Sequence, residues 1–200
     1  MDTLYYMGFS FKKEIQRKLI HLAVSLLIII IIVLVSENLG KQVSLLLLVF
    51  LLIIFLLVDY WRVELKNQVP VICHLFRDKE KDKFGGQIFF LIGGIIVYSI
   101  FDFRIALAAV LMASFGDLAA NLVGGGLGRI WITKNRNLEG ILAEFVVDLA
   151  IAYFLINNFY IILVMALTAT LVETLVNELD DNLFIPVFSG FAGQIISYFI

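Results

Sequence analysis

The sequence predicts an all-α, polytopic bundle of about seven membrane helices with its N-terminus on the cytoplasmic side. Three observations carry that prediction. The chain has 200 residues, of which 62% are hydrophobic and 16% charged, and its mean hydropathy is +1.00. A soluble domain of that size keeps too large a surface to hide so much apolar area. The apolar residues gather into runs close to the roughly 20 residues that a spanning helix needs. Once those runs alternate across a membrane, nearly all the basic residues fall on one side.

The runs lie at about 19–36, 43–59, 86–101, 103–123, 140–156, 159–178 and 184–200. Continuous apolar stretches do not tell helix from strand by period. The bilayer does, because it forces backbone groups to pair within one segment. Barrel strands would alternate in polarity, and these runs do not. The first run follows Lys12, Lys13, Arg17 and Lys18, as a secretion signal would. It is long enough to span, however, and ends in Ser36-Glu37-Asn38 rather than a small-residue cleavage site, so it reads as a span.

With the N-terminus inside, the inner segments hold those four bases, then Arg62, Lys66, Arg77, Lys79, Lys81 and Lys83, then Arg129, Lys134 and Arg136. The outer segments hold only Lys41 and Arg104. The second loop, about 60–85, is the one long connection. It mixes charge with Trp61, Val63, Leu65 and Val69 and breaks at Pro70, as an interfacial amphipathic segment would. Scarce polar linkers and two prolines predict a single domain over residues 1–200. The net charge of −2 gives no electrostatic footprint for nucleic acid, and the lone Cys73 allows no disulfide framework.

Four acids fall inside predicted spans: Asp117, Glu144, Asp148 and Glu173. Each costs about 2.5–3.5 kcal/mol to insert, so each needs a cavity, a partner or a site. Glu144 and Asp148 are four residues apart and share a helix face. The topology brings Asp117, the loop with Lys134, Arg136 and Glu139, and the loop "NELDDNL" to one membrane face, the side where nucleotides are available. Carboxylates with an amide suit a hard cation such as Mg²⁺, which bridges to phosphates. Lys and Arg neutralise phosphate charge, and glycine backbone can approach phosphate oxygens closely. The run Gly124–Gly128 matches neither a Walker loop nor a dinucleotide fingerprint, and it equally reads as a helix exit. Asp181 and Asn182 equally read as a capping turn.

Five stretches in order resemble the CTP-dependent lipid-alcohol kinases, the family of dolichol kinase, phytol kinase and CTP-dependent diacylglycerol kinase. "EIQRKLIH" (Glu14 to His21) is similar to that family's E-x-x-R-K-x-x-H opening. "RDKEKDKFGG" (Arg77 to Gly86) resembles its R-x-x-E segment before a glycine-led helix. "GDLAANLVGGGLGR" resembles its G-D-x-x-A-x-x-x-G-x-x-x-G segment, "RNLEG" its K-[ST]-x-E-G box, and "ETLVNELDDNLFIP" its closing E…D-N-x-x-x-P box. Two positions depart from the pattern. Arg136 and Asn137 stand where Lys and Ser or Thr are usual, and Gly125 and Gly126 fill a gap that often carries a base. Glu144 and Asp148 match nothing in it.

The resemblance implies transfer of the γ-phosphoryl group of CTP to the hydroxyl of a membrane lipid alcohol, such as a polyprenol, phytol or diacylglycerol, with Mg²⁺ as cofactor. It implies metal contacts at Asp117, Asp181 and Asn182, and a catalytic carboxylate at Asp117 or Glu139. Nucleotide contacts are expected at Gly124, Gly128, Lys134, Arg136 and Asn182, with Arg17 and Lys18. His21, Arg77, Glu80 and Glu173 are further candidates. The active site is expected on the cytoplasmic face of a multi-pass protein, and a homo-oligomer stays open. Two other readings fit some of the same residues: a cytidylyltransferase forming a CDP-lipid, and a proton or ion transporter built on the intramembrane acids.

Overall fold

The computed structural model describes residues 22–64, 84–133, 136–176 and 180–200. Within them the chain is a helix bundle without strands. Its seven helices are α1 (Leu22–Leu39), α2 (Lys41–Glu64), α3 (Gly86–Ile100), α4 (Phe103–Leu127), α5 (Leu138–Leu155), α6 (Phe159–Leu175) and α7 (Asp181–Phe199). Each expected apolar run is one of these helices. α1, α2, α4 and α7 are long and apolar enough to cross a membrane, and the protein is a membrane protein. α5 has the length but carries Glu139, Glu144 and Asp148. α3 and α6 are shorter apolar helices of 15 and 17 residues.

The connections explain the boundaries. α1 and α2 form a hairpin around Gly40, whose φ of +88° is a conformation that L side chains rarely adopt. Its N–H caps Ser36 O at 3.1 Å. At the other end of α2, Asp59 accepts from Arg62 Nε at 2.7 Å and from Gly85 N at 2.6 Å, so one carboxylate joins the end of α2 to the start of α3. The expected interfacial segment therefore begins later than residue 60, because α2 runs on to Glu64; residues 65–83 lie outside the described residues. The turn between α3 and α4 is tied to α7 by two bonds: Asp102 N donates to Gln194 Oε1 at 2.8 Å, and Gln194 Nε2 donates to Asp102 Oδ2 at 3.0 Å. Asn158 caps α6 through Tyr160 N at 2.9 Å.

α4 is the central helix and the most buried of the long four, with Ala106, Ala108, Ala109, Val110 and Ala113 almost wholly enclosed. It packs along α5, and α7 packs on α6, α3 and α4. The hairpin of α1 and α2 leans on α3 and leaves most of its apolar surface outward, as lipid contact permits. α4 also carries a π-turn at Met112–Gly116, immediately before Asp117.

Small residues set the helix approach. A Cβ on Gly93 would stand 3.1 Å from Pro186 Cγ and 3.2 Å from Asn182 O, so α3 and α7 touch at backbone distance. A Cβ on Gly190 would stand 2.7 Å from the ring of Phe101. Both positions are the packing notches that glycines make between membrane helices. Gly190→Val is expected to destabilise the bundle by about 1–3 kcal/mol through overpacking, read as a lower unfolding midpoint in detergent. Phe101→Leu in the same chain should recover part of that loss. An unchanged midpoint for the single variant would show that the two helices do not meet there.

Candidate functional site

The site begins where α4 hands over to α5. Asn137 is the N-cap of α5, accepting from Gly140 N at 2.9 Å through Oδ1. Its Nδ2 donates to Gly124 O at 2.8 Å. One amide thus ties the last turn of one helix to the first turn of the next. The glycines around it are there for space. A Cβ on Gly124 would stand 2.8 Å from Asn137 Oδ1, and one on Gly140 would stand 2.8 Å from Ala120 O. Of the two readings of Gly124–Gly128, the helix exit matches the structure. Gly124 to Gly126 continue the helix, and the N–H of Gly128 is spent on Gly124 O at 3.1 Å. In this conformation Gly124 and Gly128 form the seat of Asn137 rather than an anion nest.

Seating Asn137 points the preceding residue inward. The guanidinium of Arg136 forms an ion pair with Glu173 of α6, which is 1% exposed, and reaches Asp181 of α7 at 3.5 Å. Burial works to lower the pKa of Arg136, but the fields of Glu173, Asp117, Asp181 and Glu144 outweigh it and raise it. Four carboxylates from α4, α5, α6 and α7 therefore surround one base. Asp181 stands at the first turn of α7 and Glu173 in the last turn of α6, while the other two lie further from their helix ends. Asp117 lies ten residues before Leu127, about 15 Å along α4, and Glu144 lies six residues into α5. Arg136 reaches down into the bundle to meet them.

Asp117 is 2% exposed, and Asn121 Nδ2 donates to its Oδ1 at 2.7 Å. Deeper still is Asp148, one turn below Glu144 on α5 and 1% exposed; neither of its oxygens has a hydrogen-bond donor among the described residues. Gly116 makes room for it, since a Cβ there would stand 2.5 Å from Asp148 Oδ1. Sequence reasoning flagged Glu144 and Asp148 by their cost in a span but gave them no place. The structure puts Glu144 among the charges around Arg136, with Asp148 beneath it.

Other expected residues land elsewhere. Glu139 does not join this cluster. Both its oxygens face Ile130 N at 3.3 Å, within the loop that links α4 and α5. Its candidacy as the catalytic carboxylate loses geometric support. Asn182 faces Asp180 and Gly86 rather than Asp181: its Nδ2 donates to Asp180 Oδ1 at 2.7 Å, and a Cβ on Gly86 would collide with the same amide. Asp180 is the N-cap of α7, accepting from Asn182 N at 3.1 Å, a role the sequence reading left to its two neighbours. Arg17, Lys18, His21, Arg77, Glu80 and Lys134 lie outside the described residues. Asn137 was missed as a structural tie, although an Asn directly before an apolar helical run is an N-cap signal.

An all-oxygen donor set beside an arginine would suit Mg²⁺, which needs only one or two carboxylates when phosphates complete its shell. Among the described residues no three acidic, His or Cys side chains converge as a ready-made metal cage. Asp117 and Asp181, both close enough to Arg136 to raise its pKa, meet the smaller requirement.

Three curated proteins align with the chain, each carrying the name CTP-dependent diacylglycerol kinase 1. The Schizosaccharomyces pombe protein is 33% identical over 139 residues, which is 60% of this chain and 64% of that protein. The Eremothecium gossypii protein is 30% identical over 149 residues, 72% of this chain and 46% of the relative. These similarities support membership of the CTP-dependent lipid-kinase family. The Saccharomyces cerevisiae protein is 24% identical over 149 residues, 72% of this chain and 50% of its own length. The aligned region thus spans about half to two thirds of the curated relatives. No family model matches the chain, and no solved structure matches it.

The ion pair at the centre of the site has a measurable signature. Removing one partner of a buried pair leaves the other uncompensated and costs about 3–5 kcal/mol. Arg136→Ala is expected to show a loss of that order in chemical unfolding. Arg136→Ala combined with Glu173→Gln should lose distinctly less, because the stranded charge is gone. Strict additivity of the two substitutions would mean that they do not interact.

Proposed function

We propose that the protein transfers the γ-phosphoryl group of CTP to the hydroxyl of a membrane lipid alcohol, and that the acceptor is diacylglycerol or a closely similar lipid. The observation that carries this reading is one arginine held among acids at the junction of four helices, in a chain related to CTP-dependent diacylglycerol kinases. A base among carboxylates can neutralise phosphate while the carboxylates hold a divalent cation, the two charge requirements of phosphoryl transfer. The basic-residue asymmetry supports a multi-pass chain with this end of the bundle on the cytoplasmic face.

In this reading Arg136 grips phosphate oxygens through its planar fork, which suits bidentate contact better than lysine does. Glu173 keeps the guanidinium in place when no nucleotide is bound. Asp117 and Asp181 would hold a Mg²⁺ ion, which would supply positive charge against the charge that develops on the phosphate. Asn121 steadies Asp117, whose carboxylate also lies nearer the centre than Glu139 and is the better acceptor for the hydroxyl proton. The lipid reaches the site sideways between helices, because the acids lie at depth rather than on a soluble domain.

A cytidylyltransferase would use the same nucleotide and metal but would leave a different product. With CTP labelled at the γ-phosphate, the lipid should acquire label; with label at the α-phosphate it should not. The reverse pattern would identify a CDP-lipid synthase. Asp117→Asn and Asp181→Asn are each expected to reduce transfer at least about 100-fold while the protein still inserts and keeps its unfolding midpoint. Near-wild-type transfer in either variant would remove that residue from the site. Chelation by EDTA should abolish transfer, and Mg²⁺ should restore it; transfer that persists in EDTA would rule out the metal.

A further inference from the structure

The loop between α4 and α5 has a second feature that the reaction does not use. It exposes three large apolar residues: Ile130 at 55%, Trp131 at 61% and Ile132 at 55%. They stand beyond the end of α4 and before α5 begins, where a loop facing water would be polar. The described residues on the two sides of 134 and 135 nevertheless pair with one another. Trp131 and Asn137 form a bridge, Ile132 N and Thr133 N donate to Arg136 O at 3.0 and 3.1 Å, and Leu138 N donates to Ile130 O at 2.7 Å. Ile130 N turns to the carboxylate of Glu139, and Arg136 N donates to Thr133 Oγ1 at 3.1 Å. Much of its backbone polarity is thus satisfied internally while its apolar side chains point out. That arrangement suits a low-dielectric surrounding.

We propose that this hairpin is an interfacial anchor that seats Ile130, Trp131 and Ile132 at the boundary between lipid headgroups and acyl chains. Charge favours lipid as the occupant over a protein partner or a second copy of this chain. Between Asp117 and Glu139 the sequence has no acid, while Arg129 and Lys134 supply two bases besides Arg136, which turns inward to Glu173. Arg129 and Lys134 stand on either side of the Ile-Trp-Ile segment in sequence, the pattern that anionic headgroups attract. Tryptophan favours the headgroup level because one edge of its ring is apolar and the other donates. The two helices that the hairpin joins also expose the apolar residues Leu122, Leu142 and Val146. The same hairpin carries Arg136 inward, so its seat at the interface would steady the base that faces the acids.

The chain has two tryptophans, Trp61 and Trp131, so Trp61→Phe leaves Trp131 as the sole indole reporter. The full chain with that substitution would be placed in vesicles of phosphatidylcholine and phosphatidylglycerol. Lipids brominated near the headgroup end of the acyl chain should quench Trp131 more than lipids brominated near the bilayer centre. Aqueous iodide should quench it at least about threefold less than free N-acetyl-tryptophanamide. In the same background Ile130→Ser with Ile132→Ser should shift the emission to the red and raise iodide quenching, with the helix content by circular dichroism unchanged. Iodide quenching equal to that of the free indole would overturn the proposal, as would protection from both iodide and brominated lipid, which would mean a protein covers the tip. Neither readout involves CTP, so failure here would leave the phosphotransfer reading untouched.

Discussion

The ion pair between Arg136 and Glu173 is the contact on which the functional end of the bundle rests. Glu173 is buried on α6, Asp117 on α4 and Glu144 on α5, with Asp181 at the head of α7. Four carboxylates drawn together in a nearly apolar bundle repel one another, and at that depth water does little to screen them. One guanidinium reaching in from the loop turns that repulsion into a bound arrangement. Because Arg136 belongs to no helix, its position depends on the residue beside it. Asn137 fixes the start of α5 and holds the end of α4, so the charge at the centre is set by an amide that carries none.

That dependence explains why so many of the surrounding residues are small. Asn137 fits only because Gly124, Gly128 and Gly140 have no side chains. Asp148 fits because Gly116 has none, and α7 reaches α3 because Gly93 has none. In lipid, helices gain little from hiding apolar surface against each other, so close backbone approach carries more of the association. The glycines serve both ends at once: they let helices meet, and the meeting places polar groups face to face.

Much of this was legible in the sequence, and the limits have physical causes. All seven helices were legible, because long apolar runs in a bilayer have few alternatives to helix. Asp117, Arg136, Glu173 and Asp181 were singled out by the cost of charge at depth and by topology, and they do meet. The glycine run stayed open between a phosphate approach and a helix exit, because composition cannot distinguish glycine used for flexibility from glycine used for clearance. Glu139 was drawn toward the site by its place in a motif, yet a helix turns about 100° per residue, and at Glu139 that turn faces Ile130. The cap of α7 was shifted by one residue, from Asp181 and Asn182 to Asp180, since consecutive Asp, Asp and Asn are equally good caps until the chain direction is known. Asp59 went unnoticed because its partner Gly85 lies 26 positions away, beyond any local pattern.

The π-turn at Met112–Gly116 places an extra residue in α4 just ahead of Asp117. Such a turn works as a phase shifter. The half of α4 before it is aligned to the buried alanine face at Ala106 and Ala109, while the half after it is aligned to Gly140 and Asn137. Without the inserted residue the two faces would be locked in one register, and Asp117 would swing about 100° around the helix axis. The insertion lets one continuous helix obey two packing demands. The outer half of α4 can adapt to its neighbours without turning the acid out of the site.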